Sequence, residues 1–344
     1  MHMADALLSP VVGATMWTGS VAAIGYSSKK LKENIDNKTI PLMGVMGAFV
    51  FAAQMINFTI PGTGSSGHIG GGMILAVILG PYAAFLAMAS ILTVQALFFA
   101  DGGLLALGCN IWNLGIYPCF LLYPLVYKPI AGEGKDARRI AVAAIISVVI
   151  ALQLGAFSVV LETLLSGKSE LPFGTFVMLM QPIHLAIGLV EGIITAGIIN
   201  YVRNTRPEIL KANSISRPLD TSISIKNVLV AFLILAVITG GALSWFASTH
   251  PDGLEWSIEK VTGKGELAEA TQGVAPALKE LQGKTAFLPD YGFKSSAGVD
   301  SQENEVAVWP GIEAGTSVAG IVGGIIVLMF TLFIGLGIRL FKKQ

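Results

Sequence analysis

Long stretches without a charged side chain constrain this chain more than any other feature of its sequence. Asp, Glu, Lys and Arg are absent from residues 6–28, 39–100, 102–127, 140–161, 171–190, 227–251 and 314–338. A helix that crosses a bilayer needs about 20 apolar residues, and these stretches provide them. Charged residues make up 13% of the chain, which is about half the share found in soluble domains. We therefore predict an all-α integral membrane protein embedded in lipid.

Basic residues predict how the spans are oriented, because Lys and Arg concentrate in cytoplasmic loops. Four basic clusters occur at 29–38, 128–139, 203–226 and 339–343. If all four are cytoplasmic, an even number of spans separates neighbouring clusters. The amino terminus then lies outside the cell and the carboxyl terminus lies in the cytoplasm. We expect the protein to lie in the cytoplasmic membrane of a bacterium. Nine spans satisfy this condition, and we place them near residues 10–27, 41–57, 69–85, 86–100, 103–127, 140–165, 176–202, 227–248 and 314–338.

The spans fall into two modules. Residues 1–203 are predicted to form a seven-helix bundle, and a polar cytoplasmic linker, 204–225, connects it to a two-helix unit, 226–344. The second unit carries a long external loop, about 249–313, with eleven acidic residues against five lysines. A short helix is expected within this loop near 265–282.

The amino-terminal residues and one histidine offer a specific set of metal ligands. A chain that begins Met1-His2 presents an α-amine, the His2 amide nitrogen and the His2 imidazole, which form fused chelate rings around one ion. His68 lies in the glycine-rich stretch PGTGSSGH, on the same side in the predicted topology. Four nitrogens in a plane suit Ni(II) or Cu(II). The alternatives are a tag remnant or chance for His2, and an ordinary flexible loop for His68.

Several polar residues near or within the apolar stretches are candidates for orienting those ligands. We assign this role to Asp5, Asn57, Ser66 and His184. His184 and Glu191 are seven residues apart and share a helix face, although Glu191 is expected to lie deeper. Polar groups inside a membrane are functional hypotheses by default; the simpler alternative is hydrogen bonding between helices.

Other chemistries find little support. Gly62, Gly64 and Gly67 fit a dinucleotide-binding pattern, but that pattern requires a preceding strand and a βαβ unit. The SGKS at 166–169 has Glu162 in place of the first glycine of a phosphate-binding loop, and no H-E-x-x-H occurs. We therefore predict a transport subunit, not an enzyme, with no organic cofactor. Zero net charge gives no reason to expect nucleic-acid binding.

Four motifs carry a resemblance to a known family: MHMADALLSP at the start, FAAQMINFTIPGTGSSGH at 51–68, LGCNIWN at 107–113 and IHLAIGLVEG at 183–192. They resemble the nickel/cobalt M component, the membrane-embedded substrate-binding subunit of energy-coupling factor transporters. The PDGLEW at 251–256 resembles the N component of the same systems. The whole chain is therefore similar to a natural fusion of M and N components.

The resemblance implies a site and a set of partners. It places the metal on the Met1 amine, the His2 amide and imidazole, and the His68 imidazole, and it implies a transmembrane coupling subunit and two cytoplasmic ATPase subunits. Met3 and Ala6 stand where the family start usually has Ile and Gly.

The expected function is capture of Ni(II) or Co(II) as cargo for an ATP-driven importer, with nickel slightly favoured by planar nitrogen coordination. Two rivals remain. The first is a gradient-driven divalent metal permease without ATPases, in which Glu191 and His184 relay protons. The second is a membrane metalloenzyme with an ion on His68 and His184.

Overall fold

The computed structural model describes residues 2–35, 37–214, 224–268, 272–294 and 310–342, and within these the regular structure is helical apart from one short hairpin. The helices of the amino-terminal part are α1 (Pro10–Asn34), α2 (Thr39–Gln54), α3 (Gly72–Leu79), α4 (Pro81–Phe99), α5 (Leu107–Ala131), α6 (Ala137–Leu165), α7 (Phe173–Thr205) and α8 (Pro207–Ser214). The hairpin pairs β1 (Phe58–Ile60) antiparallel with β2 (Ser65–Gly67). The carboxyl-terminal part adds α9 (Lys226–Gly241), α10 (Gly253–Thr262), α11 (Ala275–Thr285) and α12 (Ala314–Lys342).

The prediction of an apolar helical membrane protein is confirmed. Among the described residues, five helices are long and apolar enough to cross a bilayer, namely α4, α5, α6, α7 and α12. The apolar helices α2 and α9 are shorter, at 16 residues each. α1 is 25 residues long and begins at Pro10. The residue before it, Ser9, caps the helix, and its hydroxyl accepts a hydrogen bond from the Val12 backbone amide. Ser at the N-cap and Pro at the first position are the residues that favour a helix start.

The predicted boundary between the spans 69–85 and 86–100 is wrong. The chain breaks at Gly80, whose φ of 78° suits glycine, and α4 then begins at Pro81. The preceding helix α3 has only eight residues, a rise of about 12 Å, so it cannot cross a bilayer alone. Residues 68–71 enter the bundle without helical structure. Such backbone is tolerated at membrane depth only when protein groups satisfy it.

α5 follows the predicted span 103–127 but winds as a π-helix from Trp112 to Tyr127. Pro118 and Pro124 lie inside this stretch. Each proline removes a backbone donor, and local changes of helix winding are one way in which membrane helices accommodate prolines.

The carboxyl-terminal helices pack directly on the amino-terminal bundle. α9 and α12 both lie against α2, and α12 also contacts α4. α9 and α12 approach closely at Gly240 and Gly320, where a Cβ on Gly320 would collide with the Gly240 backbone. Small residues permit such close packing in membranes. Three residues further along α12, the ring of Phe51 fills the space that a side chain at Gly323 would need.

The described residues of the external loop form two α-helices where the sequence predicted one. α10 starts at a capping box in which the Asp252 carboxylate accepts from the Glu255 amide, and it ends at Gly263, which has a φ of 74°. The predicted helix near 265–282 is wrong in its first half, because helix α11 begins only at Ala275. Residues 269–271 and 295–309 of this loop, and 215–223 of the predicted linker, lie outside the described residues.

Candidate metal centre

The amino-terminal segment is folded into the end of the bundle. The Met3 amide donates to Asn110 Oδ1 at 2.8 Å, and the Met3 carbonyl accepts from the Gly103 amide at 2.9 Å. Asp5 Oδ1 accepts from the Ala106 amide at 2.9 Å. Asp5 thus helps to hold the bend of the amino-terminal segment. Met1, the first predicted ligand, lies outside the described residues.

The next residue, His2, is buried against two partners. Its side chain is 7% exposed, and Nδ1 lies 3.0 Å from Asp101 Oδ1. Its ring stacks on His68, with centroids 5.1 Å apart and planes inclined by 14°. The other ring nitrogen, Nε2, is buried and has no hydrogen-bond partner among the described residues. A buried imidazole nitrogen without a partner is costly, so a bound ligand or a turn of the ring would relieve this cost.

His68 is delivered by the hairpin and by the non-helical stretch that follows it. The amides of Gly70 and Gly71 donate to the two oxygens of Glu191 at 2.7 and 2.8 Å. Gln54 Nε2 donates to the Gly70 carbonyl at 2.8 Å. These side chains replace the missing helical hydrogen bonds at the start of α3. Glu191, predicted to lie deeper than the site, therefore supports the backbone that positions His68.

The electrostatic setting keeps His68 neutral and Asp101 ionised. Burial and the neighbouring positive charges lower the pKa of His68 to about 3. Its Nδ1 lies 3.0 Å from the Ile69 carbonyl, which leaves Nε2 for another partner. Burial opposes ionisation of Asp101, but His2 and the Tyr291 hydroxyl hold its pKa well below the ordinary value. Neutral imidazoles are the form that binds metals.

Ser66 and Asn57 contact the carboxyl-terminal unit instead of the two imidazoles. The Ser66 hydroxyl donates to the His250 carbonyl at 2.7 Å, and the Ser66 amide donates to the Pro251 carbonyl at 2.8 Å. The Asn57 carbonyl accepts from the Ser248 amide at 2.7 Å. The hairpin that precedes His68 is therefore tied to the chain just before α10.

His184 lies near His68 without stacking on it. It is 1% exposed, and its Nδ1 lies 2.8 Å from the Met180 carbonyl of its own helix. His184, His68 and Asp252 line one small cavity, beside Gly253. A side chain at Gly253 would press on His184 and Ile183. His184 therefore lines the small cavity next to His68 and is not stacked with it.

A larger cavity of about 200 Å³ leads to His2 from the external loop. Its lining includes Asp101 from the bundle and Glu255, Glu266 and Asp290 from the loop. Lys279 is the lysine in this lining. A cleft lined mainly by one sign of charge raises the local concentration of the opposite ion, so the cavity suits the approach of a cation.

The centre is not built from a conventional cluster of side chains. Within the described ranges, no three His, Cys, Asp or Glu side chains come together as a metal cage. What converges is two imidazoles, those of His2 and His68, and the backbone of the amino-terminal segment. Cys109 and Cys119 are buried and free.

Sequence reasoning missed three residues of this region: Asp101, Asp252 and Tyr291. Asp101 carries a detectable signal, because it is the single charge between the charge-free stretches 39–100 and 102–127. Asp252 lies in the PDGLEW motif but was not assigned to the site. Tyr291 has no comparable signal in the loop sequence.

Comparison with known proteins gives matches to both parts of the chain. The family model described as the cobalt uptake substrate-specific transmembrane region matches residues 2–209. The chain belongs to this family. A second model, the PDGLE domain, matches residues 226–340. This member of the cobalt-uptake family is thus a fused protein of the NikMN/CbiMN type.

Relatives of this cobalt-uptake family member have the same two-part organisation or its first part. The putative fused nickel transport protein NikMN of Archaeoglobus fulgidus is 33% identical over 95% of this chain and 96% of its own length. The fused nickel transport protein NikMN of Rhodobacter capsulatus is 30% identical over 85% of this chain and 88% of its own. A crystal structure of a truncated transition metal transporter, 30% identical, covers 60% of this chain and 99% of that one with a TM-score of 0.52.

Proposed function

We propose that the chain captures Ni(II) or Co(II) outside the cell and delivers it for uptake, as the substrate-binding subunit of an ATP-driven importer of the energy-coupling factor type. The observation that carries the proposal is the stacking of the His2 ring on the His68 ring in a buried pocket. Two imidazole donors in such a pocket favour a borderline transition metal.

The ligand set in this proposal is the Met1 amine, the His2 amide and imidazole, and the His68 imidazole. Closing a chelate ring through the His2 amide uses Nδ1, because only that nitrogen forms a six-membered ring with its own amide and the ion. Nδ1 faces Asp101 in the structure, so chelation requires the ring to turn over about its Cβ–Cγ bond. A planar set of four nitrogens favours Ni(II), and Co(II) is the second cargo we propose.

The chain requires partners to use ATP, since its sequence lacks a phosphate-binding loop motif. We propose a transmembrane coupling subunit and two cytoplasmic ATPase subunits. ATP hydrolysis by these subunits would reorient the seven-helix M unit, residues 1–203, and expose the metal to the cytoplasm. The carboxyl-terminal N unit, residues 226–344, would help to load the site.

A gradient-driven permease is less well supported by the contacts of the residues it would need. Both oxygens of Glu191 accept backbone amides, and Nδ1 of His184 is close to the Met180 carbonyl. These contacts give both residues a role in holding the backbone. Uptake of nickel by cells that lack the partner ATPases would nevertheless favour the permease.

The deciding experiment compares two purified forms of the full chain, both tagged only at the carboxyl end. One form keeps the Met1-His2 start, and the other has several residues added before Met1. Titration with Ni(II) should give one bound ion for the first form and strongly weakened binding for the second. Equal binding by both forms would remove the α-amine from the site.

A further inference from the structure

The hydrogen bonds around Asp101 connect the two units of the chain at one carboxylate. Its Oδ1 lies 3.0 Å from His2 Nδ1, and its Oδ2 accepts from the Tyr291 hydroxyl at 2.5 Å. His2 belongs to the amino-terminal segment, whereas Tyr291 belongs to the external loop of the carboxyl-terminal unit. Each oxygen of Asp101 therefore serves a different unit.

Tyr291 is held in place by packing and by a second hydrogen bond. Its ring stacks on Phe99, with centroids 5.1 Å apart and planes inclined by 18°, and also lies near Phe51. Its hydroxyl accepts from Gln95 Nε2 at 3.3 Å. Gln95 in turn donates to Gln54, the residue that also binds the backbone beneath His68. The hydroxyl is thus part of a network that extends from the His2 imidazole to the backbone of Gly70, two residues after His68.

The backbone at Tyr291 adopts a conformation that bulky residues rarely take. Tyr291 has a φ of 61°, and Asp290 before it has a φ of 50°. Non-glycine residues in this left-handed region persist only where surrounding contacts hold them, and they concentrate at functional sites. The strain at Tyr291 accompanies the placement of its hydroxyl on Asp101.

The segment that carries Tyr291 also forms hydrogen bonds with the turn that carries Asp101. Gln282 Nε2 donates to the Ala96 and Gly102 carbonyls at 2.9 and 2.8 Å. The Leu288 amide donates to the Phe98 carbonyl at 3.3 Å. The external loop therefore fixes both the position of the Asp101 turn and the orientation of the carboxylate.

We propose that Tyr291 is a positioning residue for the metal site, acting through Asp101 to orient the His2 ring. This inference rests on the proposed function. A carboxylate on one imidazole nitrogen fixes the ring and leaves the other nitrogen for a metal, and loss of such a partner typically weakens metal binding about 10- to 100-fold. When the His2 ring turns over to chelate through Nδ1, the edge that contains Nε2 turns toward Asp101. In this proposal Asp101 therefore contacts the Nδ1 edge before the ring turns and the Nε2 edge afterwards.

The test is a double-mutant cycle on the full chain with its Met1-His2 start, using Ni(II) as the probe. Ni(II) affinity, Ni(II) dissociation rate and the visible absorption of the bound Ni(II) are measured for wild type, Asp101→Ala, Tyr291→Phe and the double variant. Asp101→Asn, which keeps the size and one acceptor oxygen, guards against misfolding of the alanine variant. Tyr117→Phe is the matched control, because it removes another hydroxyl contact, to Ser158 Oγ at 2.5 Å.

We expect Asp101→Ala to lower Ni(II) affinity roughly 10- to 100-fold, with faster dissociation and a changed absorption spectrum. Asp101→Asn should fall between this variant and wild type. Tyr291→Phe should lower affinity roughly 2- to 10-fold, the value of one hydrogen bond, and should have no further effect when Asp101 is already Ala.

The inference would be overturned if Tyr291→Phe bound Ni(II) like wild type. It would also be overturned if Tyr291→Phe lowered Ni(II) affinity by the same factor in wild type and in Asp101→Ala. An equal loss in Tyr117→Phe would do the same, because it would reveal a general structural effect. Failure of the proposed function gives a different result, namely a wild-type chain whose Ni(II) binding is absent or indifferent to added residues before Met1.

Discussion

The imidazole rings of His2 and His68 are stacked, with their centroids 5.1 Å apart. One ring comes from the amino-terminal segment and the other from the stretch that follows the hairpin. Because each ring packs on the other, the position of His2 depends on the backbone around His68, and the converse also holds.

The two buried histidines should differ in their contribution to metal binding. We expect His68→Ala to reduce Ni(II) affinity by about 100-fold or more, since it removes a proposed ligand and the stacking partner of His2. His184→Ala should reduce affinity less, because His184 lines the small cavity next to His68. Isothermal titration of the two variants with Ni(II) measures the difference. Equal losses would place His184 directly on the metal.

Metal affinity should fall as the pH is lowered from 8 to 6. With a pKa of about 3, His68 stays neutral over this range and does not compete with the metal for a proton. The α-amine, with an ordinary pKa near 8, becomes protonated instead. We expect a loss of roughly tenfold per pH unit for each proton displaced by the metal. The form with residues added before Met1 provides the comparison, and a pH-independent affinity for the native start would exclude the amine as a ligand.

Glu191→Gln should lower both thermal stability and Ni(II) affinity. Glutamine offers one acceptor oxygen to the two amides of Gly70 and Gly71 and points an NH₂ group at the other, at a cost of about 1–3 kcal/mol. The backbone that carries His68 would then shift. Glu162→Gln is the matched buried control, because Glu162 accepts from the Asn113 side chain and supports no pair of backbone amides among the described residues. Thermal unfolding and Ni(II) titration of both variants should separate them; similar losses would contradict this role for Glu191.

Neutralising the cavity wall should slow metal capture without changing release. The double variant Glu266→Gln and Asp290→Asn removes two exposed acidic groups that line the cavity in front of His2. We expect a slower Ni(II) association rate with a weaker dependence on salt, because the local potential falls. Glu280→Gln serves as the control, since Glu280 pairs with Lys284 on the exposed face of α11. Stopped-flow mixing measures both rates, and a change confined to dissociation would argue against electrostatic steering.

The spans were predictable wherever a helix satisfies its own backbone. Charge-free length alone is enough to locate α6, α7 and α12. The division at 69–85 failed because residues 68–71 are supported by side chains distant in sequence, Glu191 and Gln54. No local pattern reports such long-range hydrogen bonds.

The candidate site was predictable to the extent that its chemistry is local. His2 next to the amino terminus, and His68 in a glycine-rich stretch, are unusual enough to attract attention in the sequence alone. Asp101 was within reach, as an isolated charge between two apolar stretches. Tyr291 was not, because its role depends on how the external loop docks on the turn at 100–103.

The contact between Phe51 and Gly323 has an evolutionary consequence. The aromatic ring from the first unit occupies the space that a side chain in the second unit would need. Because Phe99 also borders this space, a larger residue at 323 requires a smaller one at 51 and a shift of Phe99. Among fused relatives, positions 51 and 323 should therefore vary together. Substitutions in one half of the chain would then depend on the residue present in the other half.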